Sequence, residues 1–204
     1  MVYSSLTDML LVGTGASFTS LNLYYPERGT TTTKAISGSS KFIQLASGLL
    51  NFDILSGGWK LDDMAERLLC LKEYTPLGTL REVAAEQLPA SALRAIEQLS
   101  GVRALYGRGI WSKGESIGYT IAFYRTDQAV QEELDRLSTI AGCIDRIVPE
   151  LMENEIRNRE KRLIEEHTEE GDYLEAQDPQ PAEVFRPDIY LGLDRELKIV
   201  FANH

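Results

Sequence analysis

The sequence is poor in cysteine and has no long hydrophobic run. Its two cysteines, Cys70 and Cys143, lie far apart and form no CxxC pair, so a disulfide framework is not expected. No apolar stretch reaches the roughly 18 residues that a membrane span requires, and the N-terminus lacks the basic and apolar regions of a signal peptide. We therefore expect a cytoplasmic protein.

Positive charge is also scarce. The chain carries 21 Lys and Arg residues against 31 Asp and Glu residues, for a formal net charge of -10. An acidic surface repels phosphate backbones and anionic lipids, so neither nucleic acid nor a membrane is an expected partner.

Patterns that carry catalysis or bind metal are missing as well. No nucleophilic residue has a basic residue at a spacing typical of a catalytic pair, and no cluster of metal-ligand residues occurs. Residues 13–18 nearly match GxGxxG, but Phe18 replaces the third glycine and a strand pattern follows instead of a helix. His167 is followed by Thr168, which breaks the pattern of a phosphoacceptor histidine. We expect no metal site and no catalytic activity in this chain.

The first hundred residues alternate between strand and helix patterns. Residues 16–25 have a period of two, with Leu21 and Leu23 on one face and Ser20 and Asn22 on the other, which predicts a half-buried strand. Threonine-rich residues 30–36 are predicted to pair with it as a hairpin. Further elements are predicted at residues 41–50 (helix), 59–61 (short strand), from Asp62 onward (helix), 80–88 (helix, with a Thr79/Glu82 capping box) and from Pro89 to Leu99 (helix, ended by Gly101).

Two apolar strands are predicted next, at residues 102–111 and 116–124, joined by a turn at 113–115. A long apolar repeat follows, with steps of four and three residues, which is typical of a helix that packs on another helix. We therefore expect a homodimer contact through this helix, with a kink or junction at Pro149. The predicted contact residues are Val130, Leu134, Leu137, Ala141, Ile144, Val148 and Leu151.

The last part of the chain changes character. Residues 150–170 are highly charged and predict an exposed continuation of the helix, and residues 171–187, with three prolines from 179 onward, predict a linker. Residues 188–204 hold two short apolar strands around the polar turn 194–196. A pair of strands cannot bury its apolar face alone, so we expect the chain to be a piece of a longer protein.

Residues 109–124, GIWSKGESIGYTIAFY, and the helix after them resemble the second half of a GAF domain. That family ends with a strand, a glycine turn, a strand carrying Ile-Gly and a helix that leads out of the domain. The order of elements before residue 109 also fits, so the resemblance covers about residues 1–150. It implies an α+β fold in which an antiparallel sheet is covered by helices and ends in a long C-terminal exit helix.

Residues 188–203 resemble the opening of a PAS domain, in which a pattern similar to LDRELKIVFAN recurs. A GAF domain followed by a PAS domain implies a multidomain sensor, commonly a histidine kinase of a two-component system. The implied organisation is a sensor domain at 1–126, a signalling helix at 127–170, a linker at 171–187 and a truncated PAS domain at 188–204. The implied function is binding of a small ligand or cofactor and relay through the exit helix.

The resemblance places a ligand pocket beside large aromatic residues. The candidate ligand-binding residues are Trp59, Cys70, Tyr74, Tyr106 and Trp111. Some GAF sensors hold haem through a cysteine, so Cys70 is either a haem or redox contact or a small buried core residue. The bilin-binding and cyclic-nucleotide-binding patterns of the family are absent. Two alternatives stay open: a dimerisation module whose pocket is filled by its own side chains, and a small-molecule enzyme on the same fold.

Overall fold

The structure is a computed structural model that describes residues 2–50, 55, 58–175, 190–193 and 199–202. The chain forms two compact units, one that extends to Ile156 and one that begins at Arg157. Each unit is described by itself.

A six-stranded antiparallel sheet is the centre of the first unit, with the strand order β3-β2-β1-β6-β5-β4. The predicted α+β class is therefore confirmed. The elements are α1 (Val2–Val12), β1 (Phe18–Tyr25), a 3₁₀ turn (Pro26–Arg28), β2 (Thr30–Ser37), α2 (Ser40–Leu50), β3 (Gly58–Lys60), α3 (Asp63–Cys70), β4 (Thr75–Gly78), α4 (Leu80–Ala84), α5 (Ala90–Ser100), β5 (Ala104–Ser112), β6 (Glu115–Tyr124) and α6 (Gln131–Glu175).

Local sequence signals explain where several helices begin and end. The Asp62 carboxylate accepts a hydrogen bond from the Ala65 amide at the start of α3, and Thr79 and Glu82 form the predicted capping box at the start of α4. Gly101, with φ 67°, ends α5 in the left-handed conformation that glycine adopts without strain. The helix predicted over 80–88 ends earlier than expected, at Ala84.

Both faces of the sheet are covered, and each face has its own core. On one face α1 and α6 pack over Leu21, Leu23 and Ile110, while on the other face α3, α4 and α5 pack over Leu105 and Ile121. The prediction that β1 is half-buried is therefore wrong. Ser20 and Asn22, on the face expected to be polar, are as buried as the leucines opposite, because helices cover that face too.

The long helix α6 runs without interruption through Pro149, so the predicted junction there is not found. Its apolar repeat packs against the sheet of its own chain. Four of the predicted dimer-contact residues are almost fully buried in that core: Leu137, Ala141, Ile144 and Val148. Leu134 and Leu151 pack partly against it, and only Val130, 65% exposed, is open. The repeat is explained by helix-on-sheet packing, so these buried side chains are not available to a second copy.

The second unit contains the end of α6 and a hairpin of β7 (Tyr190–Leu193) and β8 (Ile199–Ala202). Tyr190 pairs with Ala202 and Leu193 with Ile199, in antiparallel register. The two strands predicted within residues 188–204 are thus present. Residues 171–175, predicted as linker, are helical, whereas the remainder of the predicted linker and the turn at 194–196 lie outside the described residues.

Candidate ligand cavity

A cavity of about 200 Å³ lies between the sheet and helices α2 to α5. Most of its wall is apolar, formed by side chains such as Leu68, Val83 and Ile96 from the helices and Leu105 and Ile121 from the strands. A concave, mainly apolar space with a few polar groups is the usual form of a small-molecule site. This cavity is therefore the candidate functional site of the first unit.

A β-bulge determines which residues of β2 face the cavity. Leu21 pairs with Ala35 and Asn22 pairs with Thr33, so Lys34 is an extra residue in β2. Strict alternation would place Thr33 and Ile36 on opposite faces, yet both line the cavity. The bulge also directs Lys34 to the opposite face, where its Nζ lies 2.9 Å from a Glu155 carboxylate oxygen.

Four polar side chains form a hydrogen-bonded row along one wall of the cavity. The Trp59 indole Nε1 donates to Thr33 Oγ1 at 2.9 Å, and the Thr33 hydroxyl donates to Asn22 Oδ1 at 2.7 Å. The Asn22 amide Nδ2 then donates to Ser20 Oγ at 3.2 Å. All four residues line the cavity, and Ser20, Asn22 and Thr33 are buried. We call these four residues the polar row.

Two further polar contacts lie beside the cavity. The Gln87 amide donates to the Lys60 carbonyl and to an Asp62 carboxylate oxygen, both at 2.8 Å, and so joins β3 to the turn after α4. The Tyr119 hydroxyl lies 3.2 Å from Thr31 Oγ1, and burial raises the pKa of this tyrosine to about 12. Tyr119 is therefore neutral at physiological pH.

Only one of the five candidate residues from the sequence lines the cavity, and that is Trp59. Cys70 is exposed at the end of α3, so its thiol does not face the cavity. Tyr74 and Tyr106 belong to the core on the opposite face of the sheet. Their hydroxyls contact Thr120 Oγ1 at 2.8 Å and the Ala129 amide at 3.2 Å. The prediction that Cys70 is a small buried core residue is therefore wrong, and the alternative of a haem contact has no support in the position of its side chain.

The candidate residue Trp111 belongs to a different arrangement, which joins α3, β5 and α6. Its indole donates to the Leu71 carbonyl at 3.0 Å, and its backbone amide donates to Asp145 Oδ1, also at 3.0 Å. Arg108 donates to both Asp145 carboxylate oxygens, at 3.0 and 2.6 Å, and to the Lys72 carbonyl at 2.8 Å. We call Arg108, Trp111 and Asp145 the clasp. It fastens the segment after α3 to the exit helix.

Gly109 allows this close approach. Its amide donates to the Leu71 carbonyl at 2.9 Å. A Cβ at this position would lie only 2.8 Å from the Leu69 carbonyl oxygen and 2.9 Å from that of Leu71. Glycine is thus required where the end of α3 crosses β5.

The residues of the polar row other than Trp59 are not among the candidates predicted from the sequence. Ser20 and Asn22 were correctly placed on one face of β1, but an alternating strand does not reveal whether its polar face meets solvent or a cavity. Thr33 faces the cavity because of the β-bulge in β2, and β2 contains no glycine or proline that would mark the bulge in the sequence. Within the described part of the chain, no group of histidine, cysteine and acidic residues is arranged to hold a metal ion, and no helix is long and apolar enough to cross a membrane.

The fold is similar to that of solved structures of GAF-domain and phytochrome proteins. A GAF domain/HD domain protein from Geobacter sulfurreducens matches with a TM-score of 0.52 and 10% identity, over 74% of this chain and 92% of that one. The chromophore-binding domain of a bacteriophytochrome from R. palustris matches with a TM-score of 0.51 and 12% identity, over 74% of this chain and 55% of that one. The photosensory core module of a Stigmatella aurantiaca phytochrome matches with a TM-score of 0.52 and 11% identity, over 82% of this chain and 36% of that one.

These likenesses establish a GAF-type fold. The chain spans about half or less of the length of the two phytochrome structures. No protein-family model matches the sequence, and no curated protein matches it either.

Proposed function

We propose that this chain is the signal-input module of a multidomain signalling protein, in which the cavity binds a small molecule and α6 carries the response. The observation that supports this proposal most directly is the cavity of about 200 Å³ on the face of the sheet opposite to α6. A pocket filled by the protein's own side chains, as in a pure dimerisation module, is disfavoured by that open volume.

The clasp is the proposed link between the cavity and α6. Ala65 and Leu68 of α3 line the cavity, and the carbonyls of Leu71 and Lys72, just beyond α3, are held by the clasp. A ligand that moves α3 would therefore change the contacts of Asp145 on α6. Such a ligand shifts the equilibrium between two arrangements of the helix by no more than the difference in its affinity for them.

The proposed output of the module is carried by further domains of the full-length protein. We propose that residues 188–204 open a PAS domain and that the full-length protein is a cytoplasmic sensor histidine kinase. The antiparallel pairing of β7 with β8 supports the PAS assignment, because the resemblance predicts two strands in this segment. We also propose that this chain has no catalytic activity of its own and acts as a homodimer.

Ligand binding can be tested with a matched pair of alanines at the end of α4. Ala84 lines the cavity, whereas its neighbour Ala85 is exposed and does not. Small neutral two-ring compounds, such as indole and 1-indanone, are expected to raise the Tm of the wild-type protein. Ala84→Trp fills the cavity and should abolish the shift, whereas Ala85→Trp should preserve it. Equal shifts in both variants would refute binding in this cavity.

The relay is tested by hydrogen exchange with a bound compound. Binding is expected to slow amide exchange both in α3 and in α6 around Asp145. Arg108→Lys keeps the positive charge but loses the two-pronged contact with Asp145, so it should leave the change in α3 and weaken the change in α6. A response that stops at α3 in the wild-type protein would refute the relay.

A further inference from the structure

The polar row in the cavity has a fixed direction. An indole nitrogen only donates hydrogen bonds, so Trp59 can only be the start of the row. The Thr33 hydroxyl accepts a hydrogen bond from Trp59 and donates one to Asn22 Oδ1. The Asn22 amide donates in turn to Ser20 Oγ. Every donor therefore points from Trp59 toward Ser20.

The row ends in donors that have no acceptor. The Ser20 hydroxyl accepts from Asn22, but its own O–H meets no acceptor among the described residues, and the same holds for the second amide N–H of Asn22. Both side chains line the cavity and are only 5% exposed. Proteins leave few buried donors unpaired, and each one calls for an explanation.

The lining of the cavity limits the charge of any ligand. Among the described lining residues only Lys60 and Asp62 are charged, and Asp62 already accepts hydrogen bonds from the Ala65 amide and from Gln87. Lys60 is exposed, so its charge lies at the edge of the cavity. An anionic group next to Ser20 would be buried without a counter-charge, which is strongly unfavourable. The group that meets these donors is therefore an uncharged acceptor.

The volume limits the size of the ligand. A cavity of roughly 150 Å³ in another protein holds benzene, whereas pockets for drug-sized ligands begin at about 300 Å³. The cavity of about 200 Å³ lies between these cases. It matches a compound of one or two fused rings.

We propose that the cavity selects small, uncharged, mainly apolar ring compounds that carry a hydrogen-bond acceptor, such as a ring carbonyl, which is received by Ser20 and Asn22. This inference rests on the proposed function, because it takes the cavity as the ligand site. It adds the chemical class of the ligand and the end of the cavity at which its acceptor lies.

Three two-ring probes of similar size separate the possibilities. 1-Indanone offers a carbonyl acceptor, indane offers no polar group, and indole offers only a donor. For the wild-type protein, titration calorimetry is expected to give a Kd for 1-indanone about tenfold lower than for indane, the ratio expected of one hydrogen bond to a buried donor. Indole should bind no better than indane.

Ser20→Ala is the matching variant, since it removes the terminal hydroxyl and little volume. It should bring the affinity for 1-indanone close to that for indane. Thr19→Val serves as the control, because it removes a buried hydroxyl from the opposite face of the same strand, where Thr19 donates to the Thr7 carbonyl. This control should keep the preference for 1-indanone.

The outcomes separate this inference from the proposed function. Equal affinity of the wild-type protein for 1-indanone and indane, or a preference for indole, would overturn the proposed preference for a ligand with a hydrogen-bond acceptor. It would leave the cavity as a ligand site. A preference that survives Ser20→Ala would overturn the role given to Ser20. Failure of all three probes to bind would overturn both proposals.

Discussion

At the scale of single residues, the clasp contains a largely buried ion pair between Arg108 of β5 and Asp145 of α6. The Arg108 guanidinium and the Asp145 carboxylate are only 13% and 20% exposed, and their two nearly parallel hydrogen bonds suit the planar fork of arginine. Removing one partner of such a pair leaves the other desolvated without a counter-charge, which costs more than the loss of a surface ion pair. The polar groups of the clasp therefore stabilise the fold as well as linking its elements.

Replacement of Arg108 by lysine tests this account. Arg108→Lys is expected to lower the free energy of unfolding by about 1–3 kcal/mol, because one ammonium group cannot reach Asp145, the Lys72 carbonyl and the Gly109 carbonyl together. Urea unfolding measures the change. Arg81→Lys is the control, since Arg81 is 60% exposed in its pair with Glu97 and should lose less than about 1 kcal/mol. Equal losses at both sites would contradict the account.

At the scale of secondary-structure elements, the apolar repeat of α6 has its explanation inside the chain. Leu137 and Val148 are fully buried against the sheet, whereas Val130, at the start of the same repeat, is 65% exposed. Leu137→Ala is expected to lower the free energy of unfolding by about 2–5 kcal/mol, because it removes packed side-chain volume from the core. Val130→Ala should change it by about 0.5 kcal/mol or less. Urea unfolding of both variants measures the changes. Similar losses in the free energy of unfolding would contradict this difference in burial.

The elements that sequence analysis found and missed differ in how local their signals are. The caps of α3, α4 and α5 depend on residues within one turn, so Asp62, Thr79 and Gly101 could be interpreted directly. Strand β4 (Thr75–Gly78) contains Pro76 and lies beside β5 at the edge of the sheet. Helix α1 has no acidic residue in its first turn, so neither element carried a clear local signal. The period of α6 predicted a buried face correctly, but a period does not identify the partner that buries it.

At the scale of the whole first unit, α1 and α6 form a layer with apolar residues on its outer side. Tyr3 lies near Glu155, and the Lys34 amino group contacts both residues, whereas Gly13 lies against Ile140, so α1 runs antiparallel to α6. Met9 and Val12 of α1 are 47% and 85% exposed, and Ile147 of α6 is 37% exposed. Exposed apolar side chains on two adjacent helices suit a contact between proteins.

The proposed homodimer is therefore expected to form through this outer side and not through the buried repeat of α6. Met9→Glu combined with Val12→Glu should convert the dimer to a monomer, because each carboxylate would be buried at a two-fold contact without a counter-charge. Since both side chains are exposed in the single chain, the free energy of unfolding of the monomer should change little. Light scattering coupled to gel filtration measures the mass.

Leu99→Glu is the control for this prediction. Leu99 is equally apolar and 54% exposed, but it lies on α5, on the other side of the sheet, so its substitution should leave the dimer intact. A wild-type protein that stays monomeric at high micromolar concentration would refute the homodimer, and a dimer that survives the double substitution would place the contact elsewhere.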